Sequence, residues 1–229
     1  MNTARKAIRE GRLRGAALVD FLAAFPPGDR DRIVEELLGI AHRRLEAAPL
    51  GGGLVGYIPS GVGPIVRALM DVPVGPSDVL VDVGAGLGKV VMLAELLAGA
   101  RGHGIELQPH LVEEARACAS ALGLTRCTYH AADARHAHLA EGTVFFMYLP
   151  FTGEVMEEAL NNLHRAAQQR AIVVCALGFD LTREWLKPRT AYSFWLTLYD
   201  SVVPGVPARV SGPGVDLGPA AERVAEELP

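Results

Sequence analysis

Between Val79 and Ala176 the chain repeats one rhythm. Short runs of β-branched and apolar residues are each followed by a turn and, in most cases, by a longer stretch with helical spacing. VLVDV (79–83) reads as a buried strand and Lys89 to Leu97 as a helix. Arg101 to Leu107 reads as a strand, and Pro109 to Leu122 as a helix with proline in its first turn. Arg126 to Ala131 and Thr143 to Tyr148 are further strands, Glu154 to Ala167 is a helix, and Arg170 to Ala176 is a strand. Strands alternating with helices at this spacing pair in parallel, because each helical crossover returns the chain to the same end of the sheet. Helices then cover both faces, and the strands are expected to be apolar on both sides.

The flanks break the rhythm. Residues 4–25 and 30–47 read as two amphipathic helices separated by Pro26-Pro27-Gly28-Asp29. Pro49 to Gly53 reads as a linker, and Gly61 to Met70 as a third helix entered through Pro59-Ser60. Past Asp180, residues 190–200 alternate in part, with 206–212 as the candidate partner in an antiparallel hairpin at the sheet edge. This divides the chain into a helical extension (1–50), an α/β domain (51–212) and a tail or short helix (213–229).

Composition removes several classes. Half of the 229 residues are hydrophobic, which supports a buried core. The net charge of −4 gives no general footprint for nucleic acid. The basic run Arg5, Lys6, Arg9, Arg12 and Arg14 reads as a solvated helix face. Cys118, Cys127 and Cys175 are widely spaced and form no CxxC, which fits a reducing cytoplasm rather than a disulfide framework. No secretory leader or apolar run of membrane-spanning length is read.

The first strand runs into three glycines at alternate positions, Gly84, Gly86 and Gly88. A nucleotide P-loop needs G-x-x-x-x-G-K-[ST], but Val83 stands at its first position and Val90 follows Lys89. A dinucleotide loop needs G-x-G-x-x-G, and counting from Gly84 puts Lys89 at the third glycine. The spacing present is D-x-G-x-G-x-G, from Asp82 to Gly88. Carboxylates close the next two strands: Glu106 ends the second, and Asp133 follows the third.

This order of glycine loop, acid and acid resembles the class I S-adenosylmethionine-dependent methyltransferases. The resemblance covers roughly residues 57 to 200. It implies a Rossmann-like α/β sheet, mostly parallel with an antiparallel edge hairpin, and S-adenosyl-L-methionine as cofactor. Asp82 would act on the methionyl ammonium, and Gly84, Gly86 and Gly88 would let the backbone approach. Glu106 would accept the ribose hydroxyls, Leu107 would pack on the adenine, Asp133 would accept its amino group, and the Ala134 amide would face the ring.

The fourth strand ends in Tyr148-Leu149-Pro150-Phe151, without the [ND]-P-P-[FY] of adenine and glutamine methyltransferases. Residues 145–160 are instead similar to the non-SET-domain protein lysine methyltransferases, whose strand runs into N-x-x-F-x-x-E-V. Phe151, Glu154 and Val155 match, and Tyr148 replaces the Asn. GYIPSG (56–61) is placed like their segment over the methionine carboxylate, which makes Tyr57 and Ser60 cofactor contacts. The acceptor so implied is a protein lysine or another amine in a channel lined by Tyr148 and Phe151, with Phe146 or Trp195. Aromatic walls would desolvate the amine and hold a methylated ammonium. A small-molecule O- or N-methyltransferase and a catalytically silent cofactor-binding subunit stay open. So does an oxygen acceptor with His136 or His138 as base. A nicotinamide oxidoreductase lacks its usual catalytic set. His130, His136 and His138 match no familiar metal spacing, and no metal is expected.

Overall fold

The computed structural model describes residues 1–40, 58–149, 151–189, 195–210 and 212–226. Three helices open the chain, α1 (Asn2–Arg9), α2 (Ala16–Ala23) and α3 (Arg30–Leu38), and α4 is Val62–Asp71. The alternating region follows as β1 (Val79–Val83), α5 (Lys89–Ala98), β2 (Arg101–Glu106), α6 (Pro109–Ala121) and β3 (Cys127–Ala131). It continues with β4 (Val144–Tyr148), α7 (Gly153–Ala167) and β5 (Val173–Leu177). The edge is β6 (Leu186–Pro188) and β7 (Leu196–Ser201), and α8 is Ala221–Ala225.

The sheet order is β3-β2-β1-β4-β5-β7-β6. Strands β1 to β5 are parallel, and β7 runs antiparallel between β5 and β6. This is the Rossmann-like, mostly parallel sheet expected from the alternation. Register aligns the strand ends: Val83 lies opposite both Ile105 and Met147, Glu106 opposite Ala131, and Tyr148 opposite Leu177. Strand order reverses between β1 and β4, so the helices leaving them diverge and open a crevice at their carboxyl ends.

Two apolar cores flank the sheet. One gathers α1 to α6 and α8, with Leu18, Leu22, Leu37, Ile65 and Leu93 essentially inaccessible. The other lies under α7 and includes Phe145, Met147, Leu160 and Leu163. Burying each such side chain is worth about 1.5–3 kcal/mol. Helix α5 is buried along its whole length, sandwiched between the sheet and the N-terminal helices.

Three sequence expectations change. The helix over 4–25 is broken between Arg9 and Ala16, where Gly11 and Gly15 take φ of 72° and 53°. The helix over 30–47 ends at Leu38, with Gly39 as a left-handed cap, and residues 41–47 lie outside the described set. The edge partner of β7 is β6, not 206–212. The Arg209 guanidinium donates to the Val72 carbonyl and the Asp78 carboxylate, both at 2.9 Å, which ties its segment to the α4–β1 connection instead. The expected linker at 49–53 also lies outside the described residues.

Candidate cofactor cleft and acceptor edge

The glycine loop is held from three sides. The Gly84 and Ala85 amides both donate to the Ile105 carbonyl, at 2.9 and 3.0 Å. The Gly86 amide donates to Glu106 Oε2 at 2.9 Å, and the Gln108 amide to Glu106 Oε1 at 2.9 Å. One carboxylate therefore staples the loop to the end of β2. Beneath it, the Tyr129 hydroxyl donates to the Gly88 carbonyl at 3.3 Å. Its ring fills the space where side chains at 88 and 104 would go: a Cβ on Gly104 would stand 2.6 Å from Tyr129 Cδ1, and Gly88 is at φ 78°. Burial pushes the Tyr129 phenol far above its usual range, so it stays a neutral donor.

Asp82 lines the crevice beside this loop with Ile58, Pro59, Ser60, Gly84, Ala85, Lys89, Val90 and Tyr148. It is 4% exposed, and its carboxylate has no hydrogen-bond or ion-pair partner among the described residues. Burial first, and the charge of Glu106 second, push its pKa up to about 8. A buried carboxylate without a donor is costly, and a cation in the crevice relieves that cost.

Lys89 follows the third glycine and is also 4% exposed. Its ammonium donates to Glu35 Oε1 at 2.7 Å and Asp31 Oδ1 at 3.4 Å. Asp31 Oδ1 also accepts the Val62 amide at 2.9 Å. Helix α3 is thereby fastened to both walls of the crevice. The sequence reading used Lys89 only to reject other loops and missed these contacts. The available signal was a lysine inside an otherwise apolar helix, together with two acids one turn apart on α3.

The remaining candidates fall in different places. Ser60 is buried in the crevice wall, and Tyr57 lies outside the described residues. Leu107 is 41% exposed at the end of β2, open to an incoming ring. Asp133 is gripped by its neighbour Arg135, whose Nη2 donates at 2.7 Å and Nε at 3.0 Å to each oxygen, and this pairing holds the carboxyl below its usual range. The Ala134 carbonyl accepts from Asn162 Nδ2 at 2.9 Å, fixing that turn against α7. Tyr148 reaches the crevice. Phe151 does not line it: the ring is buried with Phe145 and Leu163 in the core under α7. Phe146 is likewise buried, in the opposite core. Trp195 is exposed, and its carbonyl accepts the Gly178 amide at 2.7 Å. Leu149, next to Tyr148, has φ 37°, a sparsely populated conformation that costs on the order of 1–3 kcal/mol. His130, His136 and His138 are exposed, and among the described residues no three metal-ligating side chains cluster.

Residues 80–170 match the methyltransferase domain family. That match and the fold together support an S-adenosylmethionine-dependent methyltransferase. Its structure is similar to that of an RNA methyltransferase from Salinibacter ruber in complex with S-adenosyl-L-homocysteine, at 28% identity and TM-score 0.55 over 68% of this chain and 99% of that one. It also aligns with an rRNA methylase from Streptococcus thermophilus at 12% identity and TM-score 0.46, over 65% of this chain and 100% of that one. The mitomycin 7-O-methyltransferase MmcR aligns at 14% and TM-score 0.46, over 59% and 52%. A search of curated protein sequences returns no match. The methyltransferase domain spans the glycine loop, the three strand-end acids and Tyr148. No described helix is long and apolar enough to cross a membrane.

Proposed function

We propose that this S-adenosylmethionine-dependent methyltransferase methylates an amine nitrogen, on a protein lysine or a small amine. Its cofactor is S-adenosyl-L-methionine, and the crevice suits that ligand. Asp82 is a buried carboxylate without a partner, and the ligand brings an ammonium and a sulfonium. The glycine loop leaves backbone room beside it. Glu106 and Leu107 stand at the end of β2 to take the ribose and one face of the adenine, with Asp133 and the Ala134 amide beyond. Ser60 and Tyr57 belong to the segment over the methionyl end. When bound, the cofactor supplies a methyl group activated by a positively charged sulfur.

The observation that carries the acceptor class is the charge at the carboxyl edge of the sheet. Lys89 and Arg135 on that edge are held by the carboxylates of Glu35 and Asp133, and Arg183 beside it by Glu157 on α7. Glu154 and Asp180 stand exposed on the same edge. Such a mouth attracts a cationic amine and offers little to a phosphate backbone. Tyr148 narrows the crevice where an acceptor enters, and Phe151 supports that turn from the core behind. Partial desolvation there shifts an arriving ammonium toward its neutral, nucleophilic form, the proton it loses passing to water. No side-chain base is then required.

A second reading, methylation of RNA, is favoured by the likeness to the Salinibacter ruber enzyme. One experiment separates them. The protein is incubated with methyl-labelled cofactor and fractionated lysate, and label is followed into protein, small molecules and RNA. Label in protein or small amines is expected. Label in RNA overturns the acceptor assignment, and cofactor bound without any transfer overturns the catalytic one.

A further inference from the structure

We infer that Lys89 reads the carboxylate at the methionyl end of the cofactor, with Glu35 and Asp31 as positioning residues that aim its ammonium into the crevice. This rests on the cofactor reading above. An amino acid end carries two opposite charges, and the crevice presents two buried side chains of the complementary signs. Asp82 and Lys89 are each 4% exposed and line the same walls. Asp82 alone would select a cation and leave the carboxylate unread.

The donor inventory supports the assignment. A lysine ammonium has three N–H donors. Glu35 and Asp31 take two of them, and among the described residues no third acceptor faces Lys89. Lys89 also opens α5, whose first amides have no carbonyl four residues back within the helix. The amino end of that buried ten-residue helix adds partial positive charge beside the ammonium, where an anion is favoured. The third donor and the helix end thus converge on one anionic group. Glu35 and Asp31 keep the flexible lysine stem from folding out toward solvent. The N-terminal helices are by this account part of the cofactor site.

The alternative is that Lys89 only ties α3 to the glycine loop. Two ligands distinguish these roles: S-adenosylhomocysteine, and its decarboxylated analogue, which keeps the ammonium. Binding is measured by calorimetry. The wild-type protein is expected to prefer the intact ligand by about 10- to 100-fold, the size of a charge-assisted contact. Lys89→Met should erase that preference by weakening only S-adenosylhomocysteine. Glu35→Gln should reduce it in part. Asp82→Asn should weaken both ligands and keep the ratio. If Lys89→Met does not fold, the double variant Lys89→Met/Glu35→Gln, which neutralises the nearer of the two carboxylates facing the missing ammonium, carries the same measurement. Its melting temperature and its binding of the decarboxylated ligand report its integrity. Equal loss for both ligands, or an unchanged preference, overturns the inference. Wild-type protein that ignores S-adenosylhomocysteine overturns the cofactor reading itself.

Discussion

The two halves of the carboxyl edge are built differently. Around β1 and β2, nearly every polar group is fixed: Glu106 on two amides, Tyr129 on a carbonyl, Lys89 on two acids. Asp82, buried in the crevice wall, is the exception. Around β4, β5 and β7, the edge is open, with Tyr148 half-buried, Trp195, Glu154 and Asp180 exposed, and Leu149 in a strained turn. A rigid half with one unmet charge specifies a ligand by chemistry. A half made of rings and a strained turn specifies by shape, and shape depends on the partner.

The contrast is most directly broken at Asp82. Asp82→Asn should cost about 100-fold in S-adenosylhomocysteine affinity, since a desolvated ion contact is lost. The pH dependence sharpens this. In the free protein the folded carboxyl holds its proton up to about pH 8, whereas an unfolded one releases it near its ordinary value. This group therefore contributes full stability below the ordinary carboxylate range, loses it as pH rises toward 8, and changes little above. A cationic ligand needs the ionised form, so wild-type affinity should climb with pH until about 8 and then level. Calorimetry from pH 6 to 9 checks this; an Asn variant with the same slope would place the titration elsewhere.

Glu106 ranks next. Glu106→Ala removes the ribose acceptor and releases the Gly86 and Gln108 amides together. A loss on the order of 2–4 kcal/mol in cofactor affinity is expected. Glu106→Gln, which keeps one acceptor oxygen, should recover part of it. Affinity unchanged in both variants would leave Glu106 as a loop staple alone.

The smallest effect on binding is expected in the open half. Tyr148→Ala should slow single-turnover methyl transfer roughly tenfold while cofactor affinity moves by less than about threefold, because water enters the acceptor path. His136→Ala with His138→Ala should leave the rate within about twofold; a positioned base would be worth about 10²–10⁴-fold. A dead double variant beside an active Tyr148→Ala would make the acceptor an oxygen.

What was legible in the sequence follows the same division. The strand–helix alternation and the spacing from Asp82 to Gly88 are local, and backbone sterics translate them directly into a turn. Glu106 was legible because it closes a strand of readable length. Lys89 with Glu35 and Asp31 was not, since that pairing joins elements separated by more than fifty residues. The grip of Arg135 on Asp133 is local but depends on rotamers, which periodicity does not report. Phe151 matched a motif, yet only packing decides whether its ring faces the crevice or the core. At the sheet edge, 206–212 and 186–188 were both short enough to serve. The distant anchor of Arg209 on Asp78 holds the first elsewhere.

The ring of Tyr129 beneath the loop bears on descent as well as stability. Gly88 and Gly104 belong to different motifs in the chain, but the Tyr129 ring occupies space that both leave empty, with the Ala85 methyl beside it at 104. The three positions are sterically coupled. A lineage that gains a Cβ at 88 or 104 must shrink residue 129 at the same time. One that loses the Tyr129 ring opens a void under the glycine loop that neither glycine can fill. In relatives of this chain the three should change together or stay together, so residue 129, which does not line the crevice, becomes a marker of how the loop above it is built.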